Sequence, residues 1–271
     1  MFTLIESLED LDFLNKELLN KPYLGVDTEF RRTTKDNMRL ALLQVNDEEE
    51  IYLIDAILIK DPKEHASFLY SESVTKILHS CKEDLEAVYS WTKKEMINIF
   101  DTQIANSFLD GDFTISYQGL VEQELGIILN KNETRSNWLR RPLTDKQLKY
   151  AADDVNFLIS IYEKQLKKLK KLKKEKVVNL EFTKEIRLGN QELHISRLRK
   201  LKKASNVEKD IFLWREKYAK EKNIPPSYVF GNKDLKKISN KIKNKEKEPY
   251  EIKKLFKDNS AAKDFLKYIK L

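Results

Sequence analysis

The apolar pattern of this 271-residue chain changes once along its length, and that change limits what it can fold into. Up to about residue 143, short apolar runs of strand character alternate with helically spaced segments. Residues 23–30, 40–45, 51–55, 76–79 and 96–101 read as strands, and the acidic turn 46–50 joins the second and third as a hairpin. Residues 8–19, 63–70, 81–91 and 102–109 read as helices, the first with Ser7 as its N-cap. From Thr144 the spacing is helical throughout. Thr144 and Gln147 fit a capping box, and the periodic run from Leu148 through Val155 and Tyr162 continues into Leu166 and Leu169. A hairpin followed by alternating strands and helices implies a mixed sheet with helices on both faces. The expected class is therefore α/β, followed by a small all-α domain in which residues 240–248 read as a loop.

Charge divides the chain in a similar place. The net charge of +7 conceals an acidic front, with 18 Lys and Arg against 30 Asp and Glu in residues 1–163. Residues 164–271 hold 33 against 14. A basic back half is the electrostatic footprint of a nucleic-acid partner. Other classes are excluded. No apolar run approaches the ~20 residues of a spanning helix, so no membrane association is expected. The first six residues lack a basic region ahead of an apolar stretch, so no secretory signal is expected and the location reads as cytoplasmic. The single cysteine, Cys81, builds neither a disulfide framework nor a thiolate zinc site. Six glycines without a phosphate-loop or dinucleotide fingerprint argue against a nucleotide cradle.

The chemistry resides in acids at the ends of elements. Asp27 and Glu29 lie two apart on a strand and share a face, while Leu24, Val26, Thr28 and Phe30 make the other face largely apolar. Two carboxylates on one face of an inner strand are expensive unless a positive charge stands between them, and a divalent metal supplies one. Asp84 falls in the first turn of a helix that follows the strand ending at His79. Tyr150 and Asp154 are i and i+4 on a late helix, with two alanines between them that allow close approach. Spacing alone leaves Asp153 beside Asp154.

Taken together, D-x-E on the first strand, an Asp after a later strand and Y-x-x-x-D on a late helix resemble the DEDDy 3′–5′ exonucleases. The flanking residues resemble ribonuclease D in particular. They are Gly25-Val-Asp-Thr-Glu-Phe30, Leu40-Ala-Leu-Leu-Gln44, Ile77-Leu-His-Ser-Cys-Lys-Glu-Asp-Leu-Glu86, Phe100-Asp-Thr-Gln-Ile-Ala105, Lys131 to Leu143, and Tyr150-Ala-Ala-Asp-Asp-Val155. The likeness runs over about residues 1–170. Ile211 to Ala219, Lys222 to Phe230 and Leu235 to Ile238 are similar to the HRDC helical domain that RecQ-type helicases and ribonuclease D share. Ribonuclease D proteins often carry two such domains, and here there is room for one.

The resemblance implies a ribonuclease-H-like exonuclease domain over 1–170, a lysine-rich helical connector over 171–204 and an HRDC-like domain over 205–271. It implies Asp27, Glu29, Asp84 and Asp154 as ligands of two Mg²⁺ or Mn²⁺ ions, and it favours Asp154 over Asp153. All-oxygen ligands suit those ions. Tyr150 would orient or deprotonate the attacking water; a free Tyr titrates near 10, so it needs a neighbouring metal to act as a base. Phe30 could stack on the terminal base or pack in the core. His79 could line the site or be a satisfied structural histidine, and Lys131, Arg135 and Arg141, flanking Trp138, could grip backbone phosphates. The implied activity is release of nucleoside 5′-monophosphates from RNA 3′ ends, with tRNA precursors or other 3′-tailed RNA as substrate. A DNA exonuclease on the same fold, or an RNA-binding protein with a dead site, are the alternatives. No protein partner can be inferred.

Overall fold

In the computed structural model the described residues are 2–34, 37–129, 133, 136–189, 198, 201, 203–222, 224–243 and 249–269. The chain divides into two compact units, Met1–Arg31 with Arg39–Asn190, and Arg32–Met38 with Gln191–Leu271.

A six-stranded sheet organises the first unit. Strands β1 (Phe2–Ile5), β2 (Tyr23–Thr34), β3 (Asn37–Asn46), β4 (Ile51–Asp55), β5 (Thr75–Leu78) and β6 (Ile99–Asp101) lie in the order β1-β4-β3-β2-β5-β6. The expected hairpin is present: β3 and β4 are antiparallel, with Asn46 opposite Ile51 and Leu42 opposite Asp55. The strand of the D-x-E pair is an inner one, between β3 and β5, and β5 and β6 run parallel to their neighbours. Leu40, Ala41, Leu42, Leu43, Gln44 and Val45 are all buried, so β3 reads as a continuous apolar run because both of its faces are covered. The edge strand β1 has no counterpart in the sequence reading. Four residues carry too little periodicity, and its parallel partner β4, with Phe2 opposite Ile51, is far away in the chain.

Among the described residues, seven α-helices complete this unit: α1 (Leu8–Leu18), α2 (Lys82–Thr92), α3 (Thr102–Phe108), α4 (Tyr117–Leu125), α5 (Asp145–Asn156), α6 (Leu158–Leu172) and α7 (Glu175–Gly189). Ser7 caps α1 and the Thr144–Gln147 capping box opens α5, as their sequences predict. Two expectations fail locally. Residues 63–70 form two short 3₁₀ turns, Pro62–Glu64 and Ser67–Tyr70, because Asn15 on α1 takes the Phe68 amide at 3.0 Å and bonds the Ser67 hydroxyl. The long helix from 144 is broken at Phe157.

The C-terminal part of the second unit is helical: α8 (Asn206–Glu221), α9 (Pro226–Val229), α10 (Asp234–Lys243), α11 (Pro249–Lys253) and α12 (Asn259–Tyr268). A Ser205–Glu208 capping box opens α8. Phe212, Phe230, Phe256 and Phe265 are buried in its core, with Trp214 packed edge-on against Phe265 at 4.8 Å. Residues 240–243 continue α10 where the sequence suggested a loop, since Ile238 and Ile242 keep the helical spacing toward the core; 244–248 lie outside the described residues.

Candidate active site

The four acids of the motif come from three elements. Asp27 and Glu29 project from β2, Asp84 from the first turn of α2 and Asp154 from the last turn of α5. Alternation puts Thr28 opposite Asp27 and Glu29, yet its hydroxyl donates to the Asp84 carboxylate at 2.5 Å, so the intervening residue ties α2 to the strand. Asp84 is itself buried, 6 % exposed. The Tyr150 hydroxyl donates to the Asp154 carboxylate one turn later on the same helix face.

A cavity of about 190 Å³ opens here, lined by Asp27, Glu29, His79, Tyr117, Gln118, Tyr150, Asp154 and Leu158. Burial raises every acid of the set, and repulsion within the set adds to it at Asp27 and Glu29. Asp27 lies well above the usual carboxylate range, through burial first and then the charges of Asp84, Asp154 and Glu29. Glu29 is pushed up to about 9 by burial and by Asp154 and Asp84. Asp84 and Asp154 are each raised to about 7, chiefly by burial, with the Thr28 and Tyr150 hydrogen bonds opposing the rise. Like-charged carboxylates can all ionise together only if a cation joins them. Among the described residues, no three His, Cys, Asp or Glu side chains stand close enough to hold an ion as they are. The donors are nevertheless right in kind: hard oxygens only, desolvated and lacking a countercharge, which fits Mg²⁺ or Mn²⁺.

The supporting groups are well held. His79 bonds the Thr102 hydroxyl at 2.9 Å through Nδ1 and the Ile115 carbonyl at 3.0 Å through Nε2. Burial holds it below the usual histidine range, and its ring is fixed between the Ile115 carbonyl and the Thr102 hydroxyl, which itself donates to the Leu78 carbonyl at 3.0 Å. Asp101 takes the amides of Ser80, Cys81, Gln103 and Ile104, which caps α3 and fixes the turn that leads into α2. Cys81 is fully buried in that turn.

Other sequence candidates go elsewhere. Arg141 is not among the lining residues: its guanidinium forms a bidentate pair with Asp55 on β4 and donates to the carbonyls of Ala41 and Trp138. Trp138 is 4 % exposed and packs against Tyr150, ring centroids 6.1 Å apart, behind the cavity rather than in it. Phe30 is half-buried and does not line the cavity. Lys131 and Arg135 lie outside the described residues. Conversely, Tyr117 and Gln118 line the cavity without having been singled out. They follow Ser116, the N-cap of α4, and no motif spacing connects them to the acids.

Comparison with known proteins gives a consistent result. The family model described as 3′-5′ exonuclease matches residues 2–170, and the HRDC domain model matches residues 205–248. Ribonuclease D of Pseudomonas paraeruginosa is 36% identical over 229 residues, covering 81% of this chain and 60% of that protein. Ribonuclease D of Desulfotalea psychrophila is 34% identical over 251 residues, covering 87% of this chain and 66% of that protein. This chain thus spans about 60% to 66% of the length of those relatives. Among solved structures, Escherichia coli RNase D, described as an exoribonuclease involved in structured RNA processing, superposes with a TM-score of 0.80 at 25% identity, over 99% of this chain and 73% of that one.

Proposed function

This chain belongs to the 3′-5′ exonuclease family, within which it is similar to ribonuclease D, and from that premise we propose that it removes nucleotides one at a time from RNA 3′ ends as nucleoside 5′-monophosphates. The observation that carries the reading is the convergence of Asp27 and Glu29 from β2 and Asp154 from α5 on one small cavity, with the buried Asp84 of α2 near enough to raise both Asp27 and Glu29.

Asp27, Glu29, Asp84 and Asp154 would hold two divalent ions, Mg²⁺ or Mn²⁺. Bound there, such ions supply the positive charge that stabilises the attacking and leaving oxygens at a scissile phosphate. The chain's own residues do the rest. Tyr150, already bonded to Asp154, orients the water that attacks. The ring of His79, held by Thr102 and Ile115, forms a fixed wall. The cavity is smaller than the ~300 Å³ at which whole-ligand sites begin, which suits the end of a polymer whose remainder stays outside. Phe30, Lys131 and Arg135 remain candidates for contacts along that remainder. Arg141 and Trp138 support the reading as scaffold under Tyr150 rather than as phosphate contacts.

The domain limits proposed are 1–170 for the exonuclease, 171–204 for the connector and 205–271 for the HRDC-like part. The basic second part supplies long-range attraction for RNA that the acidic first part lacks. The substrate proposed is tRNA precursors or other 3′-tailed RNA, and the location is the cytoplasm. No helix among the described residues is long and apolar enough to cross a membrane. The test is release of end-labelled nucleotide from RNA and from single-stranded DNA, with and without chelator. Mg²⁺- or Mn²⁺-dependent release of 5′-monophosphates from RNA is expected. Preference for DNA would point to a DNA exonuclease, and binding without release to a dead site.

A further inference from the structure

The helix that carries Tyr150 and Asp154 is interrupted immediately behind them, and the interruption is built by side chains from elsewhere. In an unbroken helix the Phe157 amide would donate to the Asp153 carbonyl, four residues back. Here a hydroxyl stands in that place: Phe157 N–H donates to Tyr117 Oη at 3.1 Å, and the Tyr117 hydroxyl donates to the Asp153 carbonyl at 3.3 Å. Insertion of a side chain into the ladder is one of the few physical causes of a sharp helix break. The neighbouring carbonyls are also claimed from outside. Asn46 Nδ2, at the end of β3, donates to Val155 O at 3.1 Å and to Asn156 O at 3.3 Å. Gly25 on β2 lets the break lie against the sheet, because a Cβ there would stand 3.2 Å from Val155 O and 3.2 Å from Leu158 Cβ.

The consequence is directional. α5 packs on β4, whereas α6 packs on β5 and α3, and the break lets one segment serve both. Asp154 is the residue next to the carbonyl that Tyr117 holds, and Tyr117 lines the same cavity. Its ring meets His79 edge-on at 5.8 Å, so the hydroxyl is aimed by a wall that is itself fixed.

We propose that Tyr117 is a positioning residue for the exonuclease site: its hydroxyl, inserted between Phe157 and Asp153, holds α5 and α6 apart so that Asp154 faces Asp27 and Glu29. The inference rests on the proposed function for its catalytic consequence and stands on the helix geometry alone for its structural one.

The experiment uses the full chain. In the wild type, NMR should find a slowly exchanging Tyr117 hydroxyl proton with a cross-peak to the Phe157 amide; absence of that cross-peak overturns the proposal without any variant. Tyr117→Phe removes the hydroxyl at nearly constant volume. It should raise exchange at the Phe157 amide about tenfold, the factor expected for loss of one buried hydrogen bond. Mn²⁺ half-saturation, read by electron paramagnetic resonance, should rise by about the same factor, and kcat should fall with KM for RNA unchanged. Unchanged exchange together with unchanged Mn²⁺ half-saturation would overturn the proposal. A wild type that binds no Mn²⁺ would instead sink the two-metal reading, while the cross-peak and the exchange rates would still decide the role of Tyr117.

Discussion

In the helical C-terminal unit, Arg215 and Glu216 are each 3 % exposed, yet the guanidinium is paired and hydrogen-bonded. It donates to Glu216 at 2.8 Å, to Asn232 Oδ1 at 2.8 Å and to the Phe230 carbonyl at 3.2 Å, and lies over the rings of Phe212 and Phe230. In the sheet unit, Asp27, Glu29, Asp84 and Asp154 are desolvated beside acids and hydroxyls, and no basic side chain is among the groups that shift them. Both units bury charge, but only the first leaves it uncompensated. Desolvated like charges destabilise a fold, so their presence marks a place kept for a ligand. The Arg141–Asp55 pair repeats the compensated pattern inside the sheet unit, which shows that the contrast follows the site and not the domain.

The largest expected effect tests the uncompensated side. Asp27→Asn or Asp154→Asn should lower single-turnover cleavage by at least about 10²–10³-fold, the scale of losing one preorganised charge interaction at a reacting phosphate. The metal-free melting temperature should hold or rise, because a repelling charge is gone. Near-normal cleavage by either variant would break the assignment of the site. Asp153→Asn should stay close to the wild type, since it is the charge of Asp154, not of Asp153, that bears on Asp27 and Glu29.

On the compensated side the expectation inverts. Arg215→Met removes the guanidinium bonded to the buried Glu216 carboxylate and should cost about 3–5 kcal/mol in denaturant unfolding, with Arg215→Met/Glu216→Leu recovering most of it. Equal losses from the single and double variants would mean that packing, not pairing, stabilises that core.

A pH series sharpens the comparison. Unfolded carboxylates titrate near 4, whereas Glu29 is raised to about 9 and Asp84 and Asp154 to about 7. The folded state therefore holds protons that the unfolded state has released. The contribution of these acids to stability is fully present below about pH 4 and is lost as pH rises through 7 toward 9. In chelator, the melting temperature of Asp154→Asn should pull ahead of the wild type as pH rises, and added Mg²⁺ should raise the wild type most at the alkaline end. A gap that narrows with pH would contradict the shifts.

The smallest effect concerns RNA attraction. Changing the exposed Lys217, Lys236, Lys263 and Lys267 of the helical unit to Gln should flatten the log–log salt dependence of RNA binding by about 0.7 for every phosphate that is no longer neutralised. An unchanged slope would make that surface a merely solvated one.

The acid motifs, the inner position of β2, the Thr144–Gln147 capping box and the all-helical back half were legible in the sequence. Each is a local signal: a period, a cap, or a spacing within one element. The resemblance to ribonuclease D joined those local signals across the chain, which spacing by itself could not do. What stayed hidden depends on partners distant in sequence. β1 needs β4 to be a strand, and Arg141 was free to be a phosphate ligand until the fold set it against Asp55. Tyr117 carried no signal in the sequence, and Asn46 read only as part of a turn. Only the folded chain brings them to Asp153, Val155, Asn156 and Phe157, where their polar groups replace backbone bonds that the helical period of 148–169 had seemed to guarantee. A sequence period reports where a helix is favoured; whether its ladder is interrupted depends on which donors and acceptors the tertiary structure presses into it.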